Sequence, residues 1–133
     1  MRYRRRATYR YAMVMRERVG AAPAWSRERL AMLPHGRWQP EVDVYETAET
    51  VEAVVDLAGV DEDDFEVQLF DNGLVVEGRR QLPSCGEDAV YHAAGIPQGL
   101  FRLELPLPAR IDPERVEARY ERGLLRVTLP KRV

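Results

Sequence analysis

Near the C-terminal end, Ala118-Arg-Tyr-Glu-Arg-Gly-Leu-Leu-Arg-Val-Thr-Leu-Pro130 leaves few options for folding. Val116, Ala118 and Tyr120 alternate with Glu117, Arg119 and Glu121, and beyond Arg122-Gly123 a second alternation sets Leu125, Val127 and Leu129 on one face. A period of two buries one face of a strand. Gly123 supplies the positive φ that a two-residue connection needs, and Pro130, which has no N–H, ends the second strand. The stretch predicts a β-hairpin with one apolar face.

The same pattern recurs upstream. Trp38-Gln-Pro40 opens the folded part, and Val42 and Val44 then alternate with Asp43 and Tyr45. After a turn at Thr47 to Glu49, Val51, Ala53, Val55 and Leu57 face one way. Phe65, Val67 and Leu69 form the inward face of the next strand, and Leu74 to Val76 return from Asp71-Asn72-Gly73, the strongest turn signal in the chain. Asn-Gly accepts two successive residues at positive φ, which is the conformation expected there. Phe101, Leu103, Leu105 and Leu107 share a face before the turn at Asp112-Pro113. Between Gln81 and Gln98 the pattern loosens, and Pro83, Gly86, Gly95 and Pro97 bound one short strand, Ala89 to Ala93. About eight short strands separated by regular turn signals predict an all-β, antiparallel β-sandwich.

Composition matters most through its asymmetry. Residues 1–38 hold ten arginines against two glutamates, a charge of +8, whereas residues 39–133 carry −10, together the net −2. Two differently built segments therefore share one chain. At 133 residues there is room for one domain with a core, residues 39–130, preceded by a basic arm, residues 1–38, and followed by a short tail, residues 131–133. Helix formers from Ala7 to Val19 predict a helix in the arm, and Ser26 is placed to cap a second one ending at Leu33. Arginines interleaved with Tyr9, Tyr11 and Trp25 read as a partly disordered arm whose apolar side chains meet other chains. A nucleic-acid surface is the alternative reading of the same residues.

Chemistry-bearing patterns are sparse. Cys85 is the only cysteine, which rules out an intrachain disulfide and a cysteine metal cage. Asp61 to Asp64 lack the central Gly and closing Glu of a calcium loop, and His35 and His92 belong to no metal or triad motif. No apolar run approaches 18 residues and the basic N-terminus lacks a secretory h-region, so the expected location is the cytoplasm. The expectation is a protein that is not an enzyme and uses no cofactor or metal.

Ala118, Gly123 and Leu125 stand at the positions of an A-x-x-x-n-G-v-L signature, with Pro130-Lys131 following. Pro40 to Glu46, Leu57-Ala-Gly-Val60, Glu77-Gly-Arg-Arg80 and Leu107 to Asp112 extend the likeness over roughly the last 90 residues. The chain resembles the bacterial type of the small heat-shock protein family, whose core is the Hsp20 or α-crystallin domain. Four positions depart from that pattern: Ala58 replaces the Pro of an L-P-G-v turn, Arg122 replaces a common Asn, Leu103 replaces a common Arg, and Ala94-Gly95-Ile96 lacks the usual acidic residue.

The resemblance implies an immunoglobulin-like sandwich and ATP-independent holdase activity on partly unfolded clients in stressed cells. It implies a homodimer in which Val90, Tyr91 and His92 of the loop pair with Val42 and Val44 of a second copy. It also implies a client or partner groove lined by Val67, Leu69, Val116 and Ala118. Larger members end in an I-x-I tail that docks in that groove. The ending Lys131-Arg-Val133 has none, so dimers or small assemblies are expected, with the groove open to clients or to other small heat-shock proteins. An adaptor like the related CS domain, docking on one defined partner, is the other reading, and the Gly123-Leu-Leu125 signature tells against it.

Overall fold

The computed structural model describes residues 9–10, 14–15 and 37–132. In chain order the strands are β1 (Tyr9–Arg10), β2 (Val14–Met15), β3 (Val42–Glu46), β4 (Thr50–Asp56), β5 (Phe65–Phe70), β6 (Gly73–Arg80), β7 (Gly99–Pro106), β8 (Glu117–Glu121) and β9 (Leu124–Pro130). They build a five-stranded sheet, β1-β8-β9-β4-β3, and a four-stranded sheet, β2-β5-β6-β7. All pairings are antiparallel except that of β2 with β5. This is the sandwich that the alternation predicts.

Its core is the set of inward positions. Val51, Ala53 and Val55 on β4, Phe65, Val67 and Leu69 on β5, Phe101 and Leu103 on β7, and Leu125, Val127 and Leu129 on β9 are all buried in one cluster. Burying each such side chain stabilises by about 1.5–3 kcal/mol before entropy is counted. Leu103 belongs wholly to this core, while the neighbouring Arg102 pairs with Glu77 at 2.7 Å and Glu104 at 3.0 Å on the outer face. Tyr120 packs edge-on against Phe65, with ring centroids 5.1 Å apart, which places the β8 edge beside the β5 edge. Its hydroxyl lies 2.7 Å from the Leu57 carbonyl and 2.8 Å from that of Val60, so one proton serves the turn that follows β4.

One turn departs from the conformation expected of it, while the positive φ expected at Gly123 is present. The β5–β6 hairpin has the predicted strands, but the connecting residues are Asp71 and Asn72, and neither they nor Gly73 has positive φ. The successive positive values instead fall on Arg122, at 53°, and Gly123, at 80°. The register Glu121↔Leu124 leaves only two residues to reverse the chain, and the left-handed pair matches the twist of the flanking strands. A Cβ on Gly123 would also meet the Ala58 Cα at 2.9 Å, so the turn packs closely on its neighbour.

The arm also departs from expectation. Within the stretch expected to be helical, Tyr9–Arg10 pairs with β8 and Val14–Met15 pairs with β5. Tyr9, Tyr11, Met13 and Met15 recur at every second position, the period of a strand. The helix expected after Ser26 lies outside the described residues, as does His35. The strand expected at Ala89 to Ala93 is absent from the fold of one chain, where residues 81–98 form no ladder. An isolated strand has no partner for its backbone groups and is not stable alone.

Candidate functional site

A sandwich of two open sheets has four edges, and the edges are where another chain can add a strand. On one side, β8 carries β1, with Tyr9 opposite Ala118 and Arg10 opposite Glu117, and β5 carries β2, with Val14 opposite Leu69 and Met15 opposite Phe70. On the other side, Trp38 forms a parallel bridge to β7: its N–H donates to the Leu100 carbonyl at 3.0 Å and its carbonyl accepts from Arg102 N–H at 3.2 Å. Among the described residues, the two-residue strands β1 and β2 end the sheets on the first side, and β3 is the five-residue edge with no strand or bridge on its outer side. Val44 and Tyr45 on it are 44% and 45% exposed, while Val42 is half-buried against the core.

The second component is the loop of residues 81–98, between β6 and β7. Val90 is 78% exposed, Tyr91 62% and Ile96 64%, an apolar surface with no cover among the described residues. The nearby Cys85 thiol raises the Tyr91 phenol pKa above its ordinary value. His92 is exposed, as are its neighbours on both sides. The structure thus leaves Val44, Val90, Tyr91 and His92 open to solvent, but on two separate elements of one chain.

Val67, Leu69, Val116 and Ala118, the expected groove lining, are drawn together on β5 and at the start of β8, and all four are buried at 1–3% exposure as members of the core. Beside Leu69 and Phe70, a depression of about 470 Å³ is flanked by Arg110 and Arg132.

Residues that the sequence did not single out hold the loop in place. Arg80, the last residue of β6, is buried at 8% exposure. Its Nε and Nη2 both donate to the Pro97 carbonyl, at 3.0 and 2.7 Å, and its Nη1 donates to the Ala58 carbonyl at 3.1 Å. The guanidinium stacks 4.2 Å from the centre of the Trp38 ring, whose Nε1 donates to the Gly99 carbonyl at 3.1 Å. Trp38 in turn lies 5.2 Å from the Phe101 ring. An arginine closing a strand at a G-x-R was the available signal, but only the fold shows what it reaches.

Among the described residues no group of three or more His, Cys, Asp or Glu side chains is placed to hold a metal, and no helix is long and apolar enough to cross a membrane. The arrangement offers edges and exposed apolar side chains.

The profile of the Hsp20/alpha crystallin family matches residues 43–133, the sandwich with its signature hairpin. The chain belongs to this family. It is 36% identical over 101 residues to heat shock protein 16 of Schizosaccharomyces pombe, covering 72% of this chain and 68% of that one. It is 29% identical over 93 residues to small heat shock protein C2 of Rickettsia felis, and there the match spans 60% of the relative's length. Among solved structures, heat shock protein 16.0 from S. pombe superposes with a TM-score of 0.65 at 32% identity, covering 71% of this chain and 88% of that one. A small heat-shock protein from Xylella fastidiosa, described as having a distinct high-order structure, gives 0.64 at 29% identity over 73% of this chain and 89% of that one. Hsp20 proteins are chaperones, and their sandwich is the one seen here.

Proposed function

We propose that this Hsp20-family chain is an ATP-independent holdase, acting in the cytoplasm as a dimer that binds partly unfolded proteins and keeps them from aggregating. The observation that carries the reading is the coexistence of an unpaired β3 edge with a loop whose Val90, Tyr91 and Ile96 stand 62–78% exposed. An exposed edge and uncovered apolar side chains are liabilities in a monomer and are satisfied when the loop of one copy adds to the β3 edge of another. In that dimer Val90, Tyr91 and His92 pair with the other copy's Val42 to Tyr45.

Client binding follows from the opposite side. Val67, Leu69, Val116 and Ala118 are core residues while the arm strands sit on β5 and β8, so an extended client reaches them by replacing those strands. Mass action then lowers the free concentration of sticky chains, and the −10 of residues 39–133 keeps the complexes in solution.

The test is light scattering from a heat-labile enzyme warmed without ATP. Suppression near one dimer per client is expected, and no suppression at any ratio by the folded protein refutes the holdase and moves weight to a single-partner adaptor. Deleting residues 88–94 is expected to give monomers, and a deletant that remains a dimer refutes the loop exchange.

A further inference from the structure

We propose that Arg80 is the positioning residue of loop exchange, and that Trp38 couples its grip to the N-terminal arm. The proposal deepens the dimer reading above and rests on it.

A buried cation ordinarily has a carboxylate partner, because desolvation of an unpaired charge is costly. Among the described residues no salt bridge involves Arg80, which is instead held by two carbonyls and one aromatic face. Only a planar guanidinium can place two N–H groups on one carbonyl and present its face to a ring at once. The geometry is specific to the loop. Arg80 is the residue before the loop starts, and Pro97 lies at its end, so a single side chain closes the base of the loop across 17 positions.

The closure sits at the start of β7. Gly99, its first residue and the ladder partner of Arg80, has φ of 91°, and a Cβ there would meet nothing within 4 Å, so this glycine is required by its backbone angle and not by crowding. Arg80 holds Pro97 on the loop side of Gly99, and the Trp38 indole holds the carbonyl of Gly99 itself. With both grips in place the end of the loop is fixed on the sandwich, which narrows the range open to Val90 and Tyr91 and preorganises the loop for the β3 edge of another copy.

Trp38 adds the second link. It is the last residue of the basic arm, and it engages Phe101 of β7, the Gly99 carbonyl and the guanidinium face together. A pull on the arm that unseats Trp38 removes the roof of Arg80 and the clasp on Gly99. Arm displacement and loop release are thereby two readings of one equilibrium, and coupling of this kind is reciprocal.

The experiment labels the exposed Cys85, the only cysteine, with donor and acceptor dyes and follows subunit exchange by energy transfer on mixing. Arg80→Met and Trp38→Leu are each expected to speed exchange about tenfold, and Arg80→Lys, which keeps the charge without the fork, roughly as much. Trp38→Phe keeps a ring face and is expected to fall between Trp38→Leu and the parent. The double variant Arg80→Met/Trp38→Leu is expected to exchange no faster than either single variant, because the two act as a unit.

Leu129→Val, a cavity in β9 opposite Val51, serves as a control for lowered stability alone. If Arg80→Met exchanges no faster than this control, or if the two single effects multiply in the double variant, the latch is refuted. Absence of energy transfer in the parent mixture would refute the dimer reading separately. Hydrogen exchange of residues 86–96 then decides the latch: faster exchange in Arg80→Met than in Leu129→Val supports it, and equal rates overturn it.

Discussion

Val55 and Val90 are the same side chain in opposite circumstances: Val55 is 0% exposed on β4, and Val90 is 78% exposed in the loop of residues 81–98. Val55 has β3 on one side and β9 on the other, opposite Val42 and Leu125. Among the described residues Val90 has no ladder partner. Apolar character is equal in the two places, so strand partners decide which residue reaches the core. The sandwich is closed by contacts within one chain, whereas in the proposed dimer the loop and the β3 edge are closed by contacts between chains.

The largest expected effect breaks the comparison at its strong end. Leu125→Ala, at a site with 0% exposure, should lower unfolding free energy by about 2–5 kcal/mol in urea titration. Val90→Ser should leave the same titration within about 0.5 kcal/mol while weakening the dimer. Equal losses for the two would mean that the loop is packed in the way the core is.

Two glycines repeat the contrast. A Cβ at Gly78 would lie 2.1 Å from the Asp64 carbonyl oxygen and 2.8 Å from the Phe65 Cα, so Gly78→Ala should cost about 3 kcal/mol or prevent folding. At Gly86 a Cβ meets nothing within 4 Å, and the φ of 90° alone should cost Gly86→Ala about 1 kcal/mol by thermal unfolding.

A smaller effect titrates the closed side. Burial, then the nearby Glu62 and Asp61, raise the Tyr120 pKa above its ordinary 10.0. The folded state therefore holds the phenol proton more tightly than the unfolded one. This contribution to stability is fully present below pH 10 and is lost as pH rises through the folded value. Tyr120→Phe should cost about 1–2 kcal/mol at neutral pH, since the Val60 carbonyl loses its donor, and should flatten the alkaline fall in denaturation profiles.

The smallest expected effect is a gain. Arg122 holds φ of 53°, a conformation that Asn tolerates better, so Arg122→Asn should raise stability by about 0.5–1 kcal/mol without changing subunit exchange. A loss of stability would show that the Arg122 side chain compensates for its backbone.

β4, β5, β7, β8 and β9 were legible from alternation because each buries one face, as Phe65, Val67 and Leu69 on β5 show, whereas β6, buried at successive positions from Gly73 to Val76, was legible from the turn signal before it. The arm strands were hidden by composition: helix formers fill Ala7 to Val19, and the period of two in Tyr9, Tyr11, Met13 and Met15 competes with them. The turns misled because Asn-Gly signals a reversal in general, whereas the register at Phe70↔Gly73 puts Asp71 and Asn72, not Asn72 and Gly73, between the strands. Of the candidate site, Val44, Val90 and Tyr91 were named as interface residues from sequence, while Trp38 and Arg80 entered only as members of local motifs, since their partners lie 17 to 61 positions away.

By itself the sequence determined the alternating faces from which the core is drawn, where the chain turns and to which family it belongs, because the period of two and the glycine and proline punctuation act locally. Only the tertiary structure decided which edges are covered, where Arg80 places its charge and which turn carries the left-handed pair. Those depend on register and on backbone groups far apart in the chain, and a carbonyl such as that of Pro97 leaves no trace of its partner in the amino-acid order.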